Sequence, residues 1–254
     1  MKIIKKIINK TFLSLGFEIK KINKMPNLLE LEIDEKEIIN FIIKNDLSMA
    51  SPSRLIATLI ATKYVCQSKI EGDFVECGVW RGGNSIIALQ IINKLNENKN
   101  IWLYDTFEGM TKPTEYDYEN TTGKKAIIEY NNNKRDDNSN WCYASLEDVK
   151  ENINSFKFSS KINYIKGDIS ETLKDYKNIP EKISVLRLDT DWYESTKKEL
   201  EMLYPKLSVG GVLIIDDYGH WGGCKKAVDE YFKKNVRKPL LIPSDYTGRI
   251  SIKI

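Results

Sequence analysis

Cysteine is scarce here and never closely spaced. Cys66, Cys77, Cys142 and Cys224 form no Cys-x-x-Cys pair, so the pattern suits reduced thiols in a cytoplasm rather than a disulfide frame. One-sided charge is missing too: 39 Lys+Arg stand against 36 Asp+Glu, which leaves no strong pull toward nucleic acid. No apolar run reaches the roughly 18 residues that a membrane-spanning helix needs. Residues 1–24 carry lysines through what would be the apolar core of a signal peptide and offer no small-residue cleavage site. Their spacing predicts a basic amphipathic helix that docks on the domain, pairs two chains into a dimer, or makes peripheral contact with an anionic membrane. With 254 residues, the chain is long enough to bury a core without staples.

What is present is a regular alternation. After a short helix predicted around Ile38–Ile43, Ser51-Pro52-Ser53 reads as a cap with proline in the first turn. Leu55, Ile56, Leu59, Ile60 and Tyr64 continue it as a helix to Lys69. From Gly72, strands are expected at Phe74–Cys77, Ile101–Tyr104, Lys161–Lys166, Ser184–Leu188 and Val212–Ile215, with helices starting near Asn84, Ser145, Ser170, Glu194 and Gly223. Strand then helix, repeated, gives right-handed crossovers and a mostly parallel α/β sheet with helices on both faces. Leu240–Ile242 and Ile250–Ile254 lack a helix between them and read as a closing antiparallel hairpin. The division expected is an N-terminal helical segment, 1–70, and a main domain, 71–254. An insertion at 106–144 breaks the alternation: Thr111–Gly123 is rich in Thr, Tyr and acids, and Asn131–Asn140 is polar throughout. Because it follows a strand's carboxyl end, it is expected to hang over the crevice as a lid, with disorder the competing reading for its Asn-rich half.

Two apolar strands end in acid pairs, Leu188-Asp189-Thr190-Asp191 and Ile215-Asp216-Asp217. In an open parallel sheet such ends face one crevice. Four converging carboxylates repel unless a cation or protons intervene, so a hard divalent ion is the economical explanation. Arg187, inside the first of these strands, is expected to balance carboxylates such as Glu76. His220, the single histidine, follows the second pair and is a candidate for touching substrate or handling a proton. Trp192, Tyr193 and Trp221 offer flat walls for a sugar ring, or simply core.

Phe74-Val75-Glu76-Cys77-Gly78-Val79-Trp80-Arg81-Gly82-Gly83-Asn84-Ser85 is a strand, a glycine turn and a helix start. A dinucleotide site wants Gly-x-Gly-x-x-Gly, but Trp80 holds the middle position. Glu76 at the strand tip would repel an anion and attract a ligand carrying sulfonium and ammonium groups. Asp105, some 20 to 30 residues on, stands where a ribose diol is held. Asp168 either accepts from an adenine amino group or caps the following helix, and Met49, before the Ser51 cap, lies at a hinge near the ligand.

These blocks resemble the macrocin O-methyltransferase (TylF-type) family. They are Gly72–Gly83, Asp105-Thr106-Phe107-Glu108-Gly109, Leu186–Thr196 and Asp216-Asp217-Tyr218, and the similarity runs from about Ser48 to the C-terminus. The resemblance implies a Rossmann-like class I methyltransferase fold, S-adenosylmethionine as donor, a magnesium or similar divalent ion, and a hydroxyl of a sugar or glycoside as acceptor. It implies Asp189, Asp216 and Asp217 as metal ligands, and Asp191 as the base. The donor would be held by Glu76, Gly78, Trp80, Ser85, Asp105, Asp168 and Met49. The alternatives are a metal-dependent methyltransferase of catechol type, a glycosyltransferase using Asp-x-Asp, and a donor-binding module without chemistry.

Overall fold

The computed structural model describes residues 29–135, 138–234 and 238–254. The basic helix expected over residues 1–24 lies outside them. The first elements are α1 (Ile33–Lys44) and α2 (Pro52–Gln67). Ser51 caps α2, its Oγ accepting from the Arg54 amide at 3.3 Å, with Pro52 in the first turn. Both features were legible in the sequence, because cap chemistry is local.

The alternating part follows: β1 (Asp73–Cys77), α3 (Gly83–Lys94) and β2 (Ile101–Asp105). The interrupted region then holds α4 (Ala126–Asn132), β3 (Lys134–Arg135) and β4 (Asn138–Ser139), and α5 (Leu146–Asn154) and β5 (Ile162–Lys166) resume the pattern. The chain continues through α6 (Ile169–Thr172), β6 (Ile183–Leu188), α7 (Tyr193–Met202), β7 (Leu207–Ile215), α8 (Gly222–Lys234), β8 (Ile242–Pro243) and β9 (Arg249–Ile252). The seven-stranded sheet has the order β5-β2-β1-β6-β7-β9-β8. β5 through β7 pair in parallel, while β9 runs antiparallel to both β7 and β8. The expected sheet and its terminal hairpin are therefore both present.

Strand alternation divides the core in two. Phe74 and Leu103 face one layer with α1, α2 and α3, whereas Val75, Cys77 and Leu186 face the other with α7 and α8. β1 and β6 are central and buried along almost their whole length. Chain order runs outward from β1 on both sides, so the crevice opens above the carboxyl ends of β1 and β6.

Within 106–144 the described residues include α4 and the paired strands β3 and β4. Asp117 is 1% exposed and accepts from the Thr114 amide and hydroxyl at 2.7 and 2.8 Å and from the Tyr193 amide at 2.8 Å. It thus anchors the segment on the first turn of α7. From Asn131 the described residues form the end of α4 and the antiparallel pair β3 and β4, whose backbone bonds need no apolar pattern to announce them. Among the described residues, no helix is long and apolar enough to cross a membrane.

Candidate active site

The glycine turn after β1 is set by close approach of two strands. A Cβ on Gly78, whose φ is +82°, would fall inside contact distance of the Asp189 carbonyl oxygen, so only glycine fits. On its other side, Asp105 at the end of β2 accepts from the amides of Val79, Trp80 and Phe107 at 2.6, 3.1 and 2.8 Å. Three backbone donors thereby brace the turn that Gly78 permits.

Beside it, Glu76 and Arg187 are register partners on β1 and β6. Arg187 is fully buried, and its Nη1 donates to Glu76 Oε1 at 3.0 Å and to Asp189 Oδ2 at 2.6 Å. Its Nη2 donates to Asp216 Oδ1 at 2.5 Å. A buried cation against three carboxylates is the pairing that burial of charge requires. Arg54, reaching over from α2, pairs with the other oxygen of Asp216 and, through Nε, with Asp245 at 3.2 Å. Asp245 in turn accepts from Ser51 Oγ at 2.6 Å, tying the start of α2 to the loop before β9.

Both oxygens of Asp216 are thus engaged by guanidinium groups, as is one oxygen of Asp189. The carboxylates that do converge are Asp189, Asp191 and Asp217, with one oxygen from each lying within 4.8 Å of the others. Asp217 is 8% exposed, and its Oδ2 is buried without a hydrogen-bond partner among the described residues. Limited hydration pushes the Asp189 and Asp191 carboxyls up, and repulsion from Asp217 adds to it. An all-oxygen, crowded, partly unpaired set of this kind fits a hard divalent cation.

Two cavities meet at these acids. One, of about 110 Å³, is lined by Gly78, Asp105, Met110, Cys142, Asp168 and Thr190 among others. The second, about 430 Å³, is lined by Arg54, Lys124, Lys125, Trp141, Asp216, Asp217, His220, Trp221 and Tyr246 among others. Met49, Trp80, Asp189 and Asp191 belong to both walls. Trp141, Trp192 and Trp221 pack edge to face at 5.0 to 6.0 Å between centroids, a rigid aromatic flank to the larger space. His220 lines that space, with Nδ1 3.3 Å from the Tyr246 hydroxyl; partial burial pushes its pKa down, favouring the neutral ring.

Not every residue expected at the donor is on a wall. Glu76 and Ser85 face each other in a short hydrogen bond inside the fold and line neither cavity; Arg187 across the strand pair holds Glu76 inward. Asp168 lines the smaller cavity and also caps α6, its Oδ1 accepting from the Ser170 amide at 2.8 Å, so both readings of it coexist. Arg54, Asp117, Trp141, Cys142, Asp245 and Tyr246 were not anticipated. Arg54, Trp141, Cys142 and Tyr246 line the cavities while Asp117 and Asp245 hold neighbouring segments, and only the fold brings them together.

Comparison with known proteins identifies the family. The profile of the family described as Macrocin-O-methyltransferase (TylF) matches residues 42–249. Demethyldecarbamoylnovobiocin O-methyltransferase of Streptomyces niveus is 34% identical over 187 residues, covering 72% of this chain and 67% of that protein. The 8-demethyl-8-(2,3-dimethoxy-alpha-L-rhamnosyl)-tetracenomycin-C 4'-O-methyltransferase of Streptomyces olivaceus is 30% identical over 186 residues, again 72% and 67% of the two chains. Among solved structures, the O-methyltransferase NovP superposes with a TM-score of 0.69 at 30% identity, covering 82% of each chain. The calicheamicin methyltransferase CalS11, at 15% identity, shares the fold with a TM-score of 0.60 over 93% of this chain and 99% of its own. By profile, identity and fold together, the chain belongs to the macrocin-O-methyltransferase family and is an O-methyltransferase.

Proposed function

We propose that the protein transfers a methyl group from S-adenosylmethionine to a hydroxyl of a sugar or glycoside, with magnesium or a similar divalent ion as cofactor. The observation that carries this is the meeting of a small and a large cavity at Asp189 and Asp191. The donor belongs in the smaller one, where Gly78 lets the backbone approach, Asp105 and Asp168 offer carboxylates to ribose and adenine, and Met49 and Trp80 close the side toward the acceptor. The sugar belongs in the larger one, against Trp141 and Trp221. The acid-rich wall favours a cationic sulfonium donor, and the Streptomyces olivaceus relative is by its name a 4'-O-methyltransferase of a rhamnosyl-tetracenomycin.

Methyl transfer from sulfonium to alcohol is an in-line displacement, so the chain's task is to align the pair and free the hydroxyl of its proton. Asp189 and Asp217 would hold the cation, which when bound would supply Lewis acidity to make the acceptor hydroxyl more acidic. Asp191, on the shared wall, takes the proton. His220 and Tyr246 hold the far side of the sugar by hydrogen bonds. Arg187 keeps Asp189 in place from below.

The test is incubation with S-adenosylmethionine and a panel of glycosides and nucleotide-linked sugars, with and without EDTA, followed by mass spectrometry. Gain of one methylene unit on a sugar, lost with EDTA and restored by magnesium, is expected. Methylation of catechols in preference to every sugar would overturn the acceptor class, and EDTA-resistant turnover would overturn the cation.

A further inference from the structure

Beneath the Asp189-Thr190-Asp191 turn lies a carboxyl with no part in the chemistry just described. Glu199, on the second turn of α7, is 0% exposed. Its Oε1 accepts from Thr190 Oγ1 at 2.7 Å, and its Oε2 is buried with no hydrogen-bond partner among the described residues. Burying a carboxyl is costly, and among the described residues the Thr190 hydroxyl is the one side chain bonded to it. Burial pushes this carboxyl up to about 8, against the lowering influence of the Thr190 bond, so it is largely uncharged at neutral pH.

The turn above it needs support. Asp191 has φ +67°, the left-handed region that a non-glycine residue occupies at a cost. The same turn is held from below by the Thr190 carbonyl, which accepts from the Trp192 amide at 2.7 Å and from Ser195 Oγ at 3.3 Å. Thr190 is thus fixed by its carbonyl and its hydroxyl, and it carries an aspartate of the cation cluster on each side. Free rotation of that threonine would let both carboxylates drift from the spacing at which they converge with Asp217.

The geometry points to Glu199 as a positioning residue: by clamping the Thr190 hydroxyl it sets the register of Asp189 and Asp191 toward the cation. This rests on the reading of those acids as a cation site. It predicts that Thr190→Val, which leaves Glu199 and the apolar core in place, reproduces the defect of Glu199→Leu. Glu199→Gln, which keeps an uncharged acceptor for the hydroxyl, should behave like the parent.

The measurement is Mn²⁺ binding by electron paramagnetic resonance on the full chain. It is paired with hydrogen exchange at the Trp192 amide and thermal unfolding. Losing a supporting hydrogen bond of this kind typically weakens a metal site by about 10- to 100-fold. At least the lower end is expected for Thr190→Val and Glu199→Leu, with faster Trp192 exchange, while Glu199→Gln stays within about twofold of the parent. A merely structural Glu199 would lower the unfolding temperature in Glu199→Leu and leave Thr190→Val binding unchanged, which would overturn the inference. If the parent chain binds no Mn²⁺, the cation reading fails by itself, and unchanged Trp192 exchange in Thr190→Val would then sink the clamp as well.

Discussion

Arg187 Nη2 donates to Asp216 Oδ1 at 2.5 Å, from β6 to the end of β7, with both side chains at most 2% exposed. That bond separates two neighbouring acids which the sequence presents as equals. Asp216 pairs with the buried arginine, while Asp217 contributes an oxygen to the cluster with Asp189 and Asp191.

The two acids should therefore fail differently. Asp216→Asn removes a charge from Arg187 and Arg54 and should destabilise the fold by about 3 kcal/mol, as breaking a buried pair does. Asp217→Asn should leave the unfolding midpoint nearly unchanged and abolish Mn²⁺ or Mg²⁺ binding by calorimetry. Equal loss of cation binding with no loss of stability in Asp216→Asn would restore that residue as a ligand.

Stability should depend on pH in an unusual direction. Glu76 and Glu199 are fully buried, and burial pushes their carboxyls up to about 7 and about 8. Between the ordinary carboxylate range and those values, the folded state holds protons that the unfolded state has released. Raising the pH from about 5 then lowers stability, up to about 7 for Glu76 and about 8 for Glu199, by up to about 1.4 kcal/mol per unit for each group. Urea midpoints across that range should fall, and Glu199→Gln should flatten the slope.

Cation binding should reverse part of that loss. A ligand that binds only the folded chain stabilises it by about 2.7 kcal/mol at a hundredfold excess over its dissociation constant. Added Mg²⁺ should raise the unfolding temperature near neutral pH, where Asp189 and Asp191 must give up protons to bind it. Near pH 5 the gain should shrink, and thermal scans with and without EDTA measure it.

Glycine substitutions provide a geometric check. Gly78→Ala would drive a methyl group into the Asp189 carbonyl at a positive φ, and should cost several kcal/mol and donor binding together. Gly123 also has positive φ, +71°, but a Cβ there meets nothing within 4 Å. Gly123→Ala should cost only about 1 to 2 kcal/mol of backbone strain. Chemical denaturation and calorimetry with S-adenosylhomocysteine distinguish the two.

Asp117 should control the segment between β2 and α5. Replacing it with alanine leaves the Tyr193 amide unpaired and removes the link to Thr114. Limited proteolysis is expected to cut near Thr111–Gly123 at least about tenfold faster, a change that about 1.4 kcal/mol of local opening suffices to produce.

Much of this enzyme was readable in order along the chain. The alternation of strands and helices, the Ser51 cap, the glycine turn and the acid pairs are set by local periodicity and by residues whose backbone preferences act over a few positions. Arg187 balancing Glu76 was legible too, because adjacent strand tips leave a buried arginine few other partners. Tertiary structure alone decided which acids the two arginines engage. Arg54 approaches Asp216 across 162 positions, and Glu199 is turned under Thr190 by the direction in which α7 packs. It also turned Glu76 and Ser85 toward each other inside the fold. Contacts at such separations depend on how whole elements pack in space, and no spacing within one segment encodes them.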